Sequence, residues 1–401
     1  MDEDSHGRDG HHGGRAARDP LETRVAARLR AIRDGHLLRT LSPPTGIDLS
    51  SNDYLGLANH PQLKRAMIEA VERYGCGSTG SRLLRGDRES FAAVERKFAS
   101  FKGAERALYF SSGYLANLAV LTTFPEGGDV IFSDERNHAS LIDAVRLSSA
   151  NRAVFAHNDV DALARLIQNR SGAGQAFVVT ESLFSMDGDV PPLAEYASVC
   201  RSHGAILVVD EAHAVGLYGA GGSGLIEAHG IERDVCVSIN TAGKALGVSG
   251  AFVAGPAWAI DYLIQRGRPF IFSTAPPPSI AAALDASLDI VMREPERRAQ
   301  LADRVKYLRA ALTGAGVALP DGSSQIIPIV LGDNDRSIAA ADALQARGFD
   351  VRAIRPPSVA PGTARLRISV NVGLSEETLD QFAGALAVAL AETLPCSAAS
   401  S

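Results

Sequence analysis

Lysine is scarce in this chain. Of its 40 basic residues only Lys64, Lys97, Lys102, Lys244 and Lys306 are lysine, which leaves 35 arginines. A coding bias toward arginine covers most positions and makes each retained lysine worth inspecting. Cysteine is equally thin: Cys76, Cys200, Cys236 and Cys396 are scattered with no C-x-x-C pair. That spacing argues against a zinc site and a disulfide framework, so no metal is expected and a reducing, cytoplasmic setting is the default. No segment approaches the ~18 consecutive apolar residues of a membrane span, and the N-terminus lacks a charged-then-apolar signal pattern. Neither membrane insertion nor secretion is expected. Nor is there a surplus of positive charge, since 40 basic against 46 acidic residues give a net charge of −6. Nucleic acid therefore has no general electrostatic attraction to the chain.

What is present is the composition of a soluble globular protein, 46% hydrophobic and 21% charged. A length of 401 residues predicts two or three domains, or one large α/β domain with an appendage. Residues 1–20, with His6, His11 and His12 among glycines, read as a disordered tail, as do residues 395–401. Leu21, Val25, Leu29 and Ile32 fall at helical spacing and predict an amphipathic helix within an N-terminal arm over 21–60. Pro61 opens a helical pattern that Gly75 closes. From about residue 105, short apolar runs at 107–110, 130–132, 177–179 and 205–209 alternate with helical patterns. Such alternation predicts a mostly parallel sheet covered on both faces, in a large domain over 61–290. Strands at 326–331, 351–354 and 366–370 with two helical patterns predict a smaller α/β domain over 291–394.

Two stretches fit the dinucleotide fingerprint G-x-G-x-x-G, Gly75 to Gly80 and Gly219 to Gly224. Neither directly follows a strand, so both read as flexible turns. Val208-Val-Asp-Glu-Ala-His213 looks like the metal-binding box of helicase-type ATPases, a reading that needs a phosphate-cradling G-x-x-x-x-G-K-[ST]. Gly243-Lys244 is the one Gly-Lys pair; Ser238 stands where the first glycine belongs and Ala245 follows, which leaves the ATPase reading without its phosphate site. Lys64, Lys97, Lys102 and Lys306 lie in charged helical stretches and read as solvated. Lys244 differs. It sits in Thr241-Ala-Gly-Lys-Ala-Leu-Gly247 between apolar runs, where an unpaired charge must be neutralised, paired or covalently engaged. A depressed-pKa amine there suits Schiff-base chemistry with a carbonyl cofactor. Asp210 ends an apolar strand, placed to hold a pyridine nitrogen protonated, and His213 could donate to a phenolate oxygen. Ser111-Ser-Gly-Tyr114 joins a strand to a helix start and forms a ready phosphate cradle. His138 follows another strand and could stack on an aromatic ring.

These motifs, with Ser51-Asn-Asp-Tyr-Leu-Gly-Leu57, Gly77-Ser-Thr-Gly-Ser-Arg82, Asn137-His-Ala-Ser140, Glu181-Ser-Leu-Phe-Ser-Met-Asp-Gly188, Ala353-Ile-Arg-Pro-Pro-Ser358 and Gly362-Thr-Ala-Arg-Leu-Arg367, resemble the α-oxoamine synthase family of fold type I pyridoxal-phosphate enzymes. The resemblance runs from about Arg39 to the last helical pattern. It implies pyridoxal 5'-phosphate bound as a Schiff base on Lys244, with Asp210 at the ring nitrogen, His213 at the phenolic oxygen, His138 stacked on the ring and assisting proton transfer, and Ser185 nearby. It implies a phosphate held by the Gly113 and Tyr114 backbone and Thr241, and by Ser273 or Thr274 from a second subunit of a homodimer. Arg367 would bind the amino-acid carboxylate, with Arg39, Asn52 and Ser358 near the acyl substrate. The run Arg268-Pro-Phe-Ile-Phe-Ser-Thr274 and the C-terminal motifs are most similar to the biotin-pathway members, which join L-alanine to pimeloyl-CoA or a pimeloyl carrier-protein thioester. Sister reactions use glycine with acetyl- or succinyl-CoA, or serine with a long-chain acyl thioester. Two positions depart from the family: Phe91 stands where members usually carry His, and Ala242 where a larger apolar residue is common.

Overall fold

A computed structural model describes residues 19–393. The expected tails at 1–20 and 395–401 lie outside the described residues except for Asp19 and Pro20, which are ordered. The Asp19 carboxylate accepts from the Leu21 amide and Pro20 takes the first helical position, so the helix Pro20–Asp34 starts earlier than expected. Its apolar stripe, Leu21, Val25, Leu29 and Ile32, is exposed.

The strands, in chain order, are β1 (Ile47–Asp48), β2 (Arg106–Phe110), β3 (Val130–Asp134), β4 (Asn151–Phe155), β5 (Ala176–Glu181), β6 (Ile206–Asp210), β7 (Val235–Thr241), β8 (Ala251–Gly255), β9 (Ile326–Gly332), β10 (Phe349–Asp350), β11 (Arg352–Ile354) and β12 (Ala364–Ser369). Seven of them form one sheet in the order β2-β8-β7-β6-β5-β3-β4. Strands β3 to β7 pair in parallel, and β8 runs antiparallel to both β7 and β2. All but β8 therefore run the same way. Their carboxyl ends deliver Phe110, Asp134, Glu181, Asp210 and Thr241 to one edge, where ligands of open α/β sheets bind.

Side chains of adjacent strand residues point to opposite faces, and both faces are buried. Tyr109, Phe132, Val178, Leu207, Val209 and Phe252 pack into one core, while Leu108, Ile131, Val179, Val208 and Val253 pack into a second. Near-continuous apolar runs, instead of alternation, are the sequence consequence of burial on both sides.

The C-terminal unit is an antiparallel sheet, β11-β12-β9, with the helices Asn334–Ala346 and Glu376–Glu392. The expected strand at 351–354 is found as β11 from Arg352 on; Val351 stands outside it, and Phe349 and Asp350 just before form a separate pair with β1. That short parallel pair ties the N-terminal arm to the C-terminal unit and sets Asn52 and Tyr54 close to β12. Among the described residues no helix is long and apolar enough to cross a membrane.

Two sequence readings are corrected. Lys102 is not solvated; its side chain is 3% exposed and forms an ion pair with Glu211, itself fully buried. Lys102 also donates to the Ser223 carbonyl, and the Glu211 carboxylate accepts from the Ile226 amide. A helix-end lysine and a buried one look alike locally, because the partner lies far away in sequence. The second concerns Gly219 to Gly224, which is an ordered nest around the chain's own carboxylates. Glu227 accepts from the amides of Gly221 and Ser223 at 2.7 and 2.9 Å. A Cβ at Gly219 (φ +85°) would lie 2.1 Å from Glu227, and one at Gly224 would lie 2.3 Å from Glu211.

Removing one partner of a buried ion pair strands the other charge at a cost of roughly 3–5 kcal/mol, whereas a partly exposed pair is worth at most about 1 kcal/mol. Urea unfolding of Lys102→Met is therefore expected to show a loss of several kcal/mol. Lys97→Met, which removes partly exposed contacts to Asp285 and Asp289, is expected to lose about 1 kcal/mol. Equal losses would contradict the assignment of Lys102 to the interior.

Candidate active site

The site is built on Asp210 at the end of β6. One carboxylate oxygen accepts from the Ala212 amide at 2.9 Å and the other from the Asn117 side-chain amide at 2.8 Å. The same Asn117 nitrogen donates to Ser140 Oγ at 2.8 Å. His138 Nδ1 lies 2.7 Å from that hydroxyl and accepts from the Ser140 amide. Because Nδ1 accepts, the proton of the neutral ring sits on Nε2. Asp210, Asn117, Ser140 and His138 thus form one chain that sets the histidine tautomer. The His138 amide donates to Glu181 at 2.6 Å, which fixes the backbone at this helix start.

Lys244 follows β7. Its Nζ lies 2.9 Å from His213 Nε2, and His213 Nδ1 lies 2.8 Å from the Tyr54 hydroxyl. Burial pushes the Lys244 amine down to about 8, against the pull of Asp210 and Glu181. Burial, reinforced by Lys244 and Arg367, holds His213 well below the usual histidine range, so the ring is neutral. Burial and then the charge of Asp210 raise Glu181 to about 8. Burial also lowers His138, with Asp210 opposing. The result is a lysine that loses its proton near neutrality beside a neutral imidazole, the state a nucleophilic amine requires.

Arg367 on β12 closes the other side. It is 7% exposed and donates to the Ser185 carbonyl (2.6 Å), Ser369 Oγ (2.8 Å), Asn52 Oδ1 (3.0 Å) and the Tyr54 hydroxyl (3.3 Å). Among the described residues no carboxylate forms an ion pair with it. A buried guanidinium held only by neutral acceptors is poised for an external anion.

Thr241 closes on Gly113 so tightly that a Cβ there would lie 2.6 Å from Thr241 Oγ1. Gly113 and Tyr114 are the first residues of the helix Gly113–Thr123, where backbone amides have no intrahelical acceptor. The Tyr114 phenol turns away and donates to Asp143. The structure therefore brings two hydrogen-bonded chains into one group: Lys244–His213–Tyr54 with Asn52, Arg367 and the Ser185 carbonyl, and Asp210–Asn117–Ser140–His138. The charge of Asp210 acts on both Lys244 and His138, and the Thr241–Gly113 contact lies at the strand ends beside them. It does not join Arg39 and Ser358 to that group. Arg39 donates to the Pro356 carbonyl and Ser358 closes a turn on Arg355. Ser273 and Thr274 lie beyond the short helix Arg268–Ile271, and among the described residues neither hydrogen-bonds to the Lys244 group within one chain. Phe91 and Ala242 are fully buried; Phe91 stacks on Tyr109 and does not line the site. Sequence reasoning gave no role to Tyr54, Asn117, Ser140 or Glu181. Three of these lie inside motifs quoted above, and Asn117 lies three residues past one.

A half-buried amine, a buried carboxylate, a neutral imidazole and free helix-start amides at one sheet edge fit pyridoxal phosphate, which offers an aldehyde, a basic ring nitrogen, a phenolic oxygen and a phosphate. Fold and site together define a lysine-dependent enzyme of carbonyl-cofactor chemistry. The aminotransferase class I and II family profile matches residues 44–386. The 8-amino-7-oxononanoate synthase of Anaeromyxobacter dehalogenans is 46% identical over 350 residues, covering 87% of each chain. Among solved structures, the serine palmitoyltransferase of S. paucimobilis with a bound PLP–myriocin adduct superposes with a TM-score of 0.87 at 29% identity, over 94% of this chain and 99% of that one. The 8-amino-7-oxononanoate synthase of Francisella tularensis does so with a TM-score of 0.75 at 29% identity, over 86% and 98%. The chain belongs to the class I and II aminotransferase family of fold type I pyridoxal-phosphate enzymes and, within it, to the α-oxoamine synthases.

The lowered amine gives a direct test. Competitive acylation of the cofactor-free protein, read by mass spectrometry at each lysine, is expected to show Lys244 gaining reactivity as pH rises through about 8. Reactivity of Lys244 that rises only in the ordinary lysine range, near pH 10.4, would contradict the burial account.

Proposed function

We propose that the chain condenses L-alanine with pimeloyl-CoA, or the equivalent carrier-protein thioester, to give 8-amino-7-oxononanoate, CO2 and the free thiol. The observation that carries this reading is the buried Arg367, with no carboxylate paired to it among the described residues, on the same hydrogen-bonded path as Lys244. It supplies a seat for the carboxylate of a small amino acid beside a reactive amine. The 46% identity to a named 8-amino-7-oxononanoate synthase supports the choice of substrates.

Bound here, pyridoxal phosphate supplies an aldehyde for the amino group and a ring that accepts negative charge from the substrate α-carbon. Asp210, fixed by Asn117 and the Ala212 amide, is the anion that keeps a ring nitrogen protonated. His213 lies against the Lys244 amine and suits contact with the phenolic oxygen. Lys244 Nζ, uncharged above about pH 8, is the base placed to take the α-proton. Arg367 holds the substrate carboxylate so that the α-proton faces that base; misorientation forfeits much of the rate advantage of a bound substrate. His138, its neutral-ring proton on Nε2 and its charge balance set by Asp210 and Lys244, would return a proton.

The reading includes a cytoplasmic homodimer in which Ser273 or Thr274 of the second copy completes the phosphate site. Exposed apolar side chains on the flanking segments, Leu84 at 82% and Phe272 at 71%, support a second chain covering this region. A sister condensation of serine with a long-chain acyl thioester is favoured by one observation, the higher TM-score of the serine palmitoyltransferase.

Thiol release measured over amino-acid and thioester pairs is expected to be fastest with L-alanine and a pimeloyl thioester. Turnover with serine and palmitoyl-CoA, or with glycine and acetyl- or succinyl-CoA, but not with that pair would overturn the assignment. Arg367→Met is expected to raise the alanine KM ~30-fold or more, the scale for losing a buried charged contact, and to leave the cofactor absorbance band in place. An unchanged KM would remove Arg367 from the carboxylate site.

A further inference from the structure

Outside the Lys244 group, a second cluster of largely buried titratable side chains surrounds His157. Its ring is 9% exposed. Nδ1 lies 2.9 Å from Asp134 Oδ1 and Nε2 lies 2.6 Å from Asp189 Oδ2. An ionised carboxylate only accepts, so an imidazole satisfied by two of them must carry protons on both nitrogens. The cluster is therefore an imidazolium between two carboxylates. The next residue repeats the bridge: Asn158 donates its side-chain amide to Asp189 at 2.8 Å and its backbone amide to Asp134 at 3.3 Å. To do so Asn158 adopts the left-handed region, φ 59°, a conformation uncommon for a residue other than glycine. The Phe184 ring meets the imidazole edge-on at 4.5 Å.

The two bridged aspartates head separate segments of the active site. Asp134 ends β3 and begins the turn to His138; it accepts from the Arg136 amide, and the Asn137 amide donates to its carbonyl. Asp189 closes the loop after β5. Within that loop the Phe184 amide donates to the Asp189 carbonyl, the Ser182 amide donates to the Asp210 carbonyl and the Ser185 carbonyl receives Arg367. Asp187 pairs with Arg365, and the Gly188 carbonyl accepts from Ser324. One loop thus touches Asp210, Arg367 and the C-terminal unit, and a second carries His138. The His157-Asn158 pair bridges them from the buried side, beside the longer and more exposed Arg136–Asp187 ion pair at 3.4 Å.

We propose that His157 is a positioning residue: as an imidazolium clamped between Asp134 and Asp189, it holds the His138 turn and the Ser185 loop in fixed relation, and so sets where Arg367 and His138 stand around the substrate.

Burial alone would lower His157, but its hydrogen bonds to Asp134 and Asp189 outweigh that and push it up to about 9. Burial would raise Asp189, and the bond from His157 instead brings it below the usual carboxylate range. The other titratable groups facing the cluster are Asp159 and the Tyr196 phenol, which burial raises. The clamp is thus intact at neutral pH.

The test uses His157→Phe, which keeps a ring against Phe184 and removes both donors, and Asp189→Asn, which removes one charge at constant volume. Hydrogen exchange of the cofactor-free proteins is read first. Protection is expected to fall about tenfold or more, a 1.4 kcal/mol change, in peptides covering both 135–140 and 182–189, with β6 and β7 unchanged. Exchange that rises evenly over the chain, or in only one of the two segments, would overturn the clamp. If His157→Phe yields no folded protein, Asp189→Asn carries the same readout. Steady-state kinetics follow, and this arm rests on the proposed condensation. The alanine KM is expected to rise about tenfold with a smaller change in kcat, because the loop that seats Arg367 moves away from a cofactor that stays bound. An unchanged KM with both loops loosened would overturn the positioning role. Absence of any turnover in the parent enzyme would instead count against the proposed reaction and leave the exchange result standing.

Discussion

The 2.9 Å contact between Lys244 Nζ and His213 Nε2 joins two groups that must both be uncharged for the site to work. Elsewhere in the molecule a lysine and its neighbour solve burial by pairing opposite charges, as Lys102 does with Glu211. Here the carboxylates Asp210 and Glu181 are near enough to pull the amine toward its charged form, and burial wins. The rest of the site follows from that balance. Asp210 must be held by neutral donors, so Asn117 and a backbone amide take the place of a cation. His213 must be oriented without being protonated, and the Tyr54 hydroxyl serves where a carboxylate would have charged the ring. Arg367 must stay free of protein carboxylates if it is to receive one from a substrate.

The sheet makes this concentration of polar groups possible. Because six of its seven strands run the same way, Phe110, Asp134, Glu181, Asp210 and Thr241 end at one edge, and each is followed at once by a turn or a helix start. The apolar cores on either face keep the strand bodies dry, while the carboxyl edge opens onto the C-terminal unit. Tyr54 and Asn52 from the arm and Arg367 from β12 close over it. Three stretches of chain distant in sequence thus surround one amine.

Legibility in the sequence followed distance along the chain. Thr241 to Lys244 and Asp210 to His213 were readable because each is a short run just past an apolar strand, and two-sided burial writes such strands as plain apolar runs. The α/β alternation was readable for the same reason. Lys102 was misread, since its helix-end setting looks solvated while its partner lies 109 positions away. Asn117 escaped notice because its hydrogen bond to Asp210 spans 93 positions. His157 carried no signal at all: its two aspartates are 23 and 32 residues away and belong to different loops. That no strand directly precedes the glycine fingerprint at Gly219 is visible in the sequence, whereas the carboxylates it encloses depend on tertiary placement.

The central claim is that one lysine among five carries the cofactor. Borohydride reduction of the protein loaded with pyridoxal phosphate, followed by peptide mapping, tests it most directly. The account predicts one phosphopyridoxyl group per chain, on Lys244. Incorporation at Lys64, Lys97, Lys102 or Lys306 in place of Lys244, or none at all, would contradict it.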